Sequence, residues 1–347
     1  MMSRADWSAE PTRRTALRDL AGAASDGWRW GLKSYRHRRA AKPQHVSVGE
    51  IPKRILCFGG EFGYEILAWL PYLNHVAHEL GVPLRTCSRV GSRPLYSFSA
   101  EHFEIEFSWR PDGYGSSESF ASFTEHFGTA VLAPVAPPIG RITPLSLGGI
   151  TWEHQRIHSR ITTKNYRPLA VPLVARPANF LPSTLPVAVI NNKDFENWGN
   201  RDPLLRESFS REQLVHLRDE LQKQGYFVVY HRFDEPVPED RFPLDDDDLF
   251  EGERALDMRH VYARAADPNA VTELQLQLYA SAHFAVCPQG GNSFLPAMHG
   301  ARTLVLSTSG RLVEYQDLSR LYGARVDVHT SFQTILEAVQ HATPVHE

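Results

Sequence analysis

The sequence predicts an α/β protein of two doubly wound halves, each a parallel sheet with helices on both faces. Three observations carry this. Short apolar runs of strand length alternate with stretches of helical periodicity, the pattern of strand–helix–strand units with parallel pairing. Two glycine-rich turns, Gly59-Gly60-Glu61-Phe62-Gly63 and Gly290-Gly291-Asn292-Ser293, each follow such a run and open a helical stretch. The chain's 347 residues are also about twice the roughly 150 expected of one domain.

The first core element is the strand run Arg54-Ile55-Leu56-Cys57-Phe58. It stops at the first glycine turn and gives way to a helix over Tyr64–Leu80, with Ile66, Leu67, Leu70, Leu73, Asn74 and Ala77 on one face. Gly81 ends that helix, and Pro71 inside it predicts a kink or a short first helix. Leu84–Ser88 and Phe103–Phe107 are candidate further strands, and Val131–Ala133 is another short apolar piece. Prolines at 137, 138, 144, 168, 172, 177 and 182 mark irregular linking structure, with one helix over Thr151–Lys164. The expected boundaries are a leader over 1–50, a first domain over 51–180 and a second over 181–347.

The second half reads more clearly. Val187–Ile190 is a buried strand ending in Asn191-Asn192-Lys193. Ser210 caps a helix with Leu214, Leu217 and Leu221 on one face, and Gly225 ends it. Strand Phe227–Tyr230, helix Thr272–Tyr279 and strand Phe284–Cys287 follow. After the second glycine turn come helix Phe294–His299, strands Thr303–Leu306 and Arg325–Val328, and a closing helix over Ser331–Gln340.

Composition narrows the function. At 42% hydrophobic and 22% charged residues, the chain is neither collagen-like, wholly disordered nor a disulfide framework. Cys57, Cys87 and Cys287 are far apart with no CxxC pair, which fits buried thiols in a reducing compartment and gives no zinc signature. No apolar run reaches the ~18 residues of a membrane span, so a cytoplasmic location is expected. Residues 1–50 hold ten Lys or Arg against five Asp or Glu, concentrated in Trp28–Arg39 with aromatics interleaved. That mixture suits peripheral contact with an anionic membrane; a frayed leader is the plain alternative, and a nucleic-acid arm ranks below both.

The turn Gln289-Gly290-Gly291-Asn292-Ser293 lies where an open parallel sheet binds ligands, beyond a strand's carboxyl end. Glycines let an anion approach the backbone, the helix start offers N–H groups, and Asn292 and Ser293 add side-chain donors. A tight capping turn is the plain alternative. Lys193, His231 and Arg232 end neighbouring strands and would bring positive charge to the same edge; Lys193 and Arg232 could hold a leaving diphosphate without a metal. The first turn carries Glu61 and Glu65, whose charge would repel a diphosphate. Gly60, Phe62, Gly63 and Tyr64 are therefore expected to face a hydroxyl-bearing acceptor, with Glu61, or secondarily Glu65, as general base. Asp245-Asp246-Asp247-Asp248 reads as a solvated loop rather than a metal site. Neither HExxH nor Gly-x-Ser-x-Gly occurs, which counts against hydrolases.

The stretch Phe58-Gly59-Gly60-Glu61-Phe62-Gly63-Tyr64-Glu65-Ile66-Leu67-Ala68-Trp69-Leu70-Pro71-Tyr72-Leu73 resembles the opening motif of bacterial polysaccharide-type glycosyltransferases. Cys287–Gly300 resembles the donor-site turn of heptosyltransferase- and fucosyltransferase-like members. The resemblance implies the GT-B fold, two Rossmann-like domains facing a cleft. A nucleotide-sugar co-substrate would sit on the second domain and a glycan or lipid-linked acceptor on the first, with no cofactor and no metal. It also implies that Tyr64 and Trp69 could stack on a sugar face, with packing in the helix core the stronger expectation for Trp69. Asn191-Asn192-Lys193 departs from the His-x-Arg that fucosyltransferases place there. Polysaccharide pyruvyl transferases resemble the same fold with phosphoenolpyruvate as donor, and a nonenzymatic nucleotide- or sugar-binding protein is the remaining reading.

Overall fold

A computed structural model describes residues 55–58, 62–81, 83–106, 131–132, 179–182, 184–193, 208–232, 245–308, 315, 318–319 and 322–342. Gly60, Glu61, the basic stretch Trp28–Arg39 and the expected helix Thr151–Lys164 lie outside the described residues.

The protein is α/β, with two parallel sheets. In the first, β1 (Ile55–Cys57), β2 (Arg85–Arg89), β3 (Glu101–Ile105) and β4 (Val131–Leu132) lie in the order β3-β2-β1-β4. The second contains β5 (Val187–Asn192), β6 (Phe227–Arg232), β7 (Ala255–Asp257), β8 (Ala282–Pro288), β9 (Arg302–Leu306) and β10 (Val326–His329), in the order β10-β9-β8-β5-β6-β7. Among the described residues the named strands pair in parallel, beside one isolated antiparallel bridge between Gly252 and Ala255. Counted from its own first strand, each sheet winds outward on one side and then returns to the other. This is the doubly wound pattern, with a switch point between β1 and β4 and another between β5 and β8.

The helix of the first half starts irregularly. One turn over Phe62–Tyr64 leads into a π-helical turn, Glu65–Trp69, and only then into α1 (Leu70–Leu80). Pro71 explains the junction: it has no N–H for the α-helical ladder and is tolerated in a helix's first turn, which is where it stands. Gly81 closes α1 in the left-handed conformation at φ 58°.

In the second half, α2 (Arg211–Lys223) begins with the reciprocal Ser210–Gln213 capping box. α3 (Met258–Tyr262) follows β7, and neither was legible as an element, being three and five residues long. α4 (Pro268–Ser281) starts earlier than expected because Asp267 accepts from the Ala270 amide and Pro268 takes the first helical position. α5 (Phe294–Met298) continues a 3₁₀ turn over Gly291–Ser293, and α6 (Phe332–Gln340) closes the described fold.

The faces of the second sheet differ in what they meet. Ala188, Ile190, Val228, Tyr230, Val286 and Leu304 form an outer face under α2 and α6. Val187, Val189, Val229, Ala285 and Cys287 form an inner face, in one cluster with Leu56, Phe58, Leu67, Leu70 and Tyr96 of the first half. At about 1.5–3 kcal/mol per buried large apolar side chain, that shared core holds the halves against each other. Polar pins reinforce it, Thr272 Oγ1 donating to the Gly91 carbonyl at 2.7 Å and Asn269 Nδ2 to Glu104 at 2.9 Å.

Candidate functional site

At the switch point, side chains at the end of β5 are hydrogen-bonded to the turn that follows β8. Lys193 Nζ donates to the Gln289 carbonyl at 2.7 Å, and Asn191 Nδ2 to the Asn292 carbonyl at 3.2 Å. The Gln289 amide donates to the Leu306 carbonyl at 2.8 Å, and its side-chain oxygen accepts from Ser307 Oγ. Gly290 then turns the chain at φ 152°, which a Cβ would strain. Ser293 locks the turn: its amide and its hydroxyl donate to the Gly290 carbonyl at 3.0 and 2.6 Å, and its Oγ lies 3.0 Å from the Tyr315 hydroxyl. The Gly290 amide donates to the Tyr315 hydroxyl at 3.4 Å and the Ser293 amide to Gly290; those of Gly291 and Asn292 stand at the start of the helical run, where no intrahelical acceptor is available.

A neutral relay supports the turn from beneath. Gln275 Nε2 stands 3.3 Å from His231 Nε2, and its donor direction assigns the ring proton to Nδ1, 3.3 Å from the Tyr279 oxygen. Tyr279 donates to Asn191 Oδ1 at 3.0 Å, and Asn191 passes the chain to Asn292 and, at 3.1 Å, to Cys287 Sγ. Burial drives the His231 pKa down to about 4 and pushes the Cys287 thiol up to about 12. His231 therefore adds no positive charge to the edge at neutral pH, contrary to the expectation from its position.

The two glycine turns, 228 residues apart in the chain, touch. A Cβ on Gly291 would stand 2.9 Å from both Cα and N of Gly63 and 3.3 Å from Phe62 Cδ1. A Cβ on Gly63 would stand 3.2 Å from Gly291 Cα and from Phe294 Cε2. Only glycine at both places lets the backbones approach this closely. Phe62 is partly buried, and the Arg89 guanidinium stacks over its ring at 4.3 Å from the centroid. Arg89 ends β2 and was not singled out in the sequence; the signal was available, since the strand run stops at a cation on the first sheet's carboxyl edge.

Lys193, Gln289, Gly290, Gly291, Asn292 and Ser293 therefore come together with Phe62 and Gly63. Of Tyr64, the backbone lies in the helical turn beside them and the side chain is outside the described residues. Two expected participants stand elsewhere. Glu65 is 1% exposed, and its Oε1 accepts from Ser88 Oγ and from the Tyr96 hydroxyl, each at 2.6 Å. A base must reach the proton it takes, and this carboxylate is enclosed, so it fastens β2 and the Tyr96 turn to the π-helical segment instead. Trp69 is buried and stacked on Phe58, the core packing expected of it.

Arg232 is the second correction. Alternation along β6 puts it with Tyr230 on the outer face, away from the glycine turn. There Asp246 grips it through both carboxylate oxygens, at 2.7 and 2.9 Å. Asp246 also accepts from Tyr230 and, at 3.4 Å, from Arg259, which is held in turn by Asp257 and Asp247. The four-aspartate run is thus not simply a solvated loop: Asp246 is 1% exposed, while its three neighbours are exposed. Arg211 and Arg218 fasten the loop from α2. Among the described residues, no group of three His, Cys, Asp or Glu is placed to hold a metal ion, and no helix is long and apolar enough to cross a membrane.

No protein-family model matches the chain, and no curated protein does. Among solved structures it is similar to the E. coli ADP-heptose LPS heptosyltransferase II, at 14% identity over 83% of this chain and 98% of that one, with a TM-score of 0.49. It is also similar to a glycosyl transferase family 9 structure from Veillonella parvula, at 12% identity, 84% and 90% coverage and a TM-score of 0.49. The E. coli heptosyltransferase WaaC with ADP is similar at 13% identity, 83% and 98% coverage and a TM-score of 0.46.

Proposed function

We propose that the protein is a GT-B-type glycosyltransferase moving a sugar from a nucleoside-diphosphate sugar to a hydroxyl of a glycan or lipid-linked acceptor, without a metal. The single observation that carries the reading is the contact of Gly63 with Gly291. It joins the turn after the first strand of one doubly wound sheet to the turn at the switch point of the other, so ligands of the two halves would meet there.

In this reading residues 181–347 hold the donor. The Gly291 and Asn292 amides, the two of the turn that donate neither to Tyr315 nor to Gly290, stabilise charge as the diphosphate departs, and the Lys193 ammonium holds the Gln289 carbonyl in place. Residues 51–180 hold the acceptor. With Glu65 enclosed, the general-base role falls to Glu61, the other carboxylate of the first turn. The basic stretch Trp28–Arg39 would keep the enzyme near a lipid-linked acceptor at the inner face of a membrane.

A thermal-shift panel of UDP, GDP, ADP, CMP, dTDP and phosphoenolpyruvate tests the reading. One nucleoside diphosphate should stabilise the protein, and release of that nucleotide from its sugar conjugate should require a hydroxyl acceptor and survive strong chelation. Stabilisation by phosphoenolpyruvate alone, or by nothing in the panel, would remove the proposal.

A further inference from the structure

In the turn after β8 every carbonyl from Gln289 to Asn292 has a partner. The Gln289 oxygen accepts from Lys193 Nζ at 2.7 Å, and the Gly290 oxygen from the amide and hydroxyl of Ser293 at 3.0 and 2.6 Å. The Gly291 oxygen accepts from the Phe294 amide, and the Asn292 oxygen from Asn191 Nδ2 at 3.2 Å. A trans peptide unit is planar, with its N–H opposite its C=O, so a held carbonyl also aims the amide of the next residue. The Gly290 and Gly291 carbonyls thereby aim the Gly291 and Asn292 amides, the two of the turn that donate neither to Tyr315 nor to Gly290.

The Asn292 carbonyl completes the set from outside the turn. Its peptide unit also carries the Ser293 amide, which ties back to the Gly290 carbonyl, so a shift of this unit reaches the unit that aims the Gly291 amide. Asn191 is itself firmly placed. Its Nδ2 donates to Cys287 Sγ at 3.1 Å as well as to Asn292, and its Oδ1 accepts from the Tyr279 hydroxyl at 3.0 Å. A backbone carbonyl can only accept, which fixes which end of the Asn191 amide faces Asn292. Both N–H donors are thus used inside the protein, and at 2% exposure Asn191 acts on a ligand only through the turn. Amides held in place before an anion arrives need no reorganisation when it binds.

We infer that Asn191 is a positioning residue for the diphosphate: by holding the Asn292 carbonyl it keeps the Gly291 and Asn292 amides aimed at the phosphates of a bound nucleotide. The inference rests on the proposed function and adds a residue to it. It also divides the work at the end of β5, where Lys193 holds the Gln289 carbonyl that enters the turn and Asn191 the Asn292 carbonyl that leaves it.

Titration calorimetry on the whole chain tests it, at a temperature where each variant is folded. The probes are the nucleoside diphosphate selected by the panel, its parent nucleoside, and inorganic pyrophosphate. Asn191→Ala should lower affinity for the two phosphate-bearing probes roughly tenfold, as expected for a lost hydrogen bond, and leave the nucleoside as in the wild type. Asn191→Asp keeps the shape and the Tyr279 contact, but its carboxyl faces the Asn292 carbonyl and must be protonated to donate to it. Its diphosphate affinity relative to the wild type at the same pH should be low at about pH 8 and recover toward about pH 5.5, since burial raises a carboxyl's titration into that range. The neighbouring His231, at about 4, and Cys287, at about 12, titrate outside that window, and burial pushes the Tyr279 hydroxyl above it. Tyr279→Phe loses the bond to Asn191 Oδ1 and leaves both donors, so the same two affinities should fall only about twofold to threefold. Wild-type diphosphate affinity in Asn191→Ala overturns the role of Asn191 and leaves the proposed function standing. So does an equal loss of nucleoside and diphosphate, which marks a structural residue, or a loss in Asn191→Asp that acid does not restore. Should neither Asn191 variant fold, unchanged affinities in Tyr279→Phe overturn the role. A wild-type protein that binds neither diphosphate nor pyrophosphate overturns both readings.

Discussion

The inner and outer faces of the second sheet meet the same carboxyl edge and use opposite chemistry there. On the outer face β6 projects Tyr230 and Arg232 into a saturated ionic cluster with Asp246, Arg259 and Asp257. On the inner face β5, β6 and α4 supply a chain of neutral groups, His231, Tyr279 and Asn191, that ends on the carbonyl of a turn residue. Full charges pinned to full charges are poor at greeting a ligand, because every new contact must first break an old one. Neutral dipoles fix the backbone turn through its Asn292 carbonyl and so hold it without engaging the Gly291 and Asn292 amides. The difference teaches that charge near a sheet edge marks fastening as readily as binding.

The comparison breaks most directly at Asp246. Asp246→Ala leaves Arg232 and Arg259 facing each other with their shared carboxylate gone, and a buried pair broken on one side costs about 3–5 kcal/mol. Urea unfolding should show that loss, whereas nucleotide affinity of the protein that remains folded should be nearly unchanged. A large affinity loss with modest destabilisation would mean the outer cluster belongs to the binding site after all.

Acid tests the neutral face. His231 has an ordinary value of 6.5 and a folded value of about 4, lowered by burial and opposed by Asp257. Above pH 6.5 neither state is protonated and the histidine contributes nothing to pH dependence. Below it the unfolded chain takes up the proton and the folded one does not, so stability falls until about pH 4, where the folded ring also titrates. The loss from this one group amounts to about 3 kcal/mol at pH 4. His102, also lowered to about 4 mainly by burial, acts in the same direction in the first half. The pH slope between 7 and 4 should therefore be shallower in His231→Gln than in the wild type; equal slopes would show that the ring titrates normally in the folded state.

What could be read in advance follows from these faces. Both sheets were legible because β5, β6 and β8 are nearly continuous apolar runs buried on both sides, and the two glycine turns punctuate them. That same burial is why Arg232 was misplaced. In a strand apolar on both faces, alternation says that Tyr230 and Arg232 share a side but not which side holds the glycine turn. Asp246 was hidden among identical neighbours, since nothing in a run of four aspartates says which one points inward. β7 was invisible as a three-residue strand whose register depends on β6 rather than on its own pattern. The Gly63–Gly291 contact joins residues from separate sheets, and each glycine alone reads only as a turn.

At that contact the expected effect is smaller. A methyl on Gly291 meets the backbone of Gly63 at 2.9 Å, which no rotamer change relieves, and overpacking of this kind costs about 1–3 kcal/mol. Gly63→Ala should cost less, because its nearest obstacles stand at 3.2 Å and one of them is the movable ring of Phe294. Nucleotide affinity should follow the same order, lowest in Gly291→Ala. If both variants bind as tightly as the wild type, the junction of the turns plays no part in ligand binding.

The smallest effect tests how the turn is held. Ser293 donates to the Gly290 carbonyl and meets the Tyr315 hydroxyl, whose oxygen also accepts from the Gly290 amide at 3.4 Å. Ser293→Ala and Tyr315→Phe should each cost about 1 kcal/mol of stability, the net worth of an ordinary hydrogen bond. Because the two hydroxyls share one network, the double variant should cost less than the sum, with a coupling of about 0.5 kcal/mol or more in a double-mutant cycle. Additive losses would mean the hydroxyls act separately, and Ser293 would then tie the turn through Gly290 alone. Coupled losses would make Tyr315 part of the turn. In that case its ring, packed at 5.5 Å from Phe294, would connect the turn to the helix that meets Gly63.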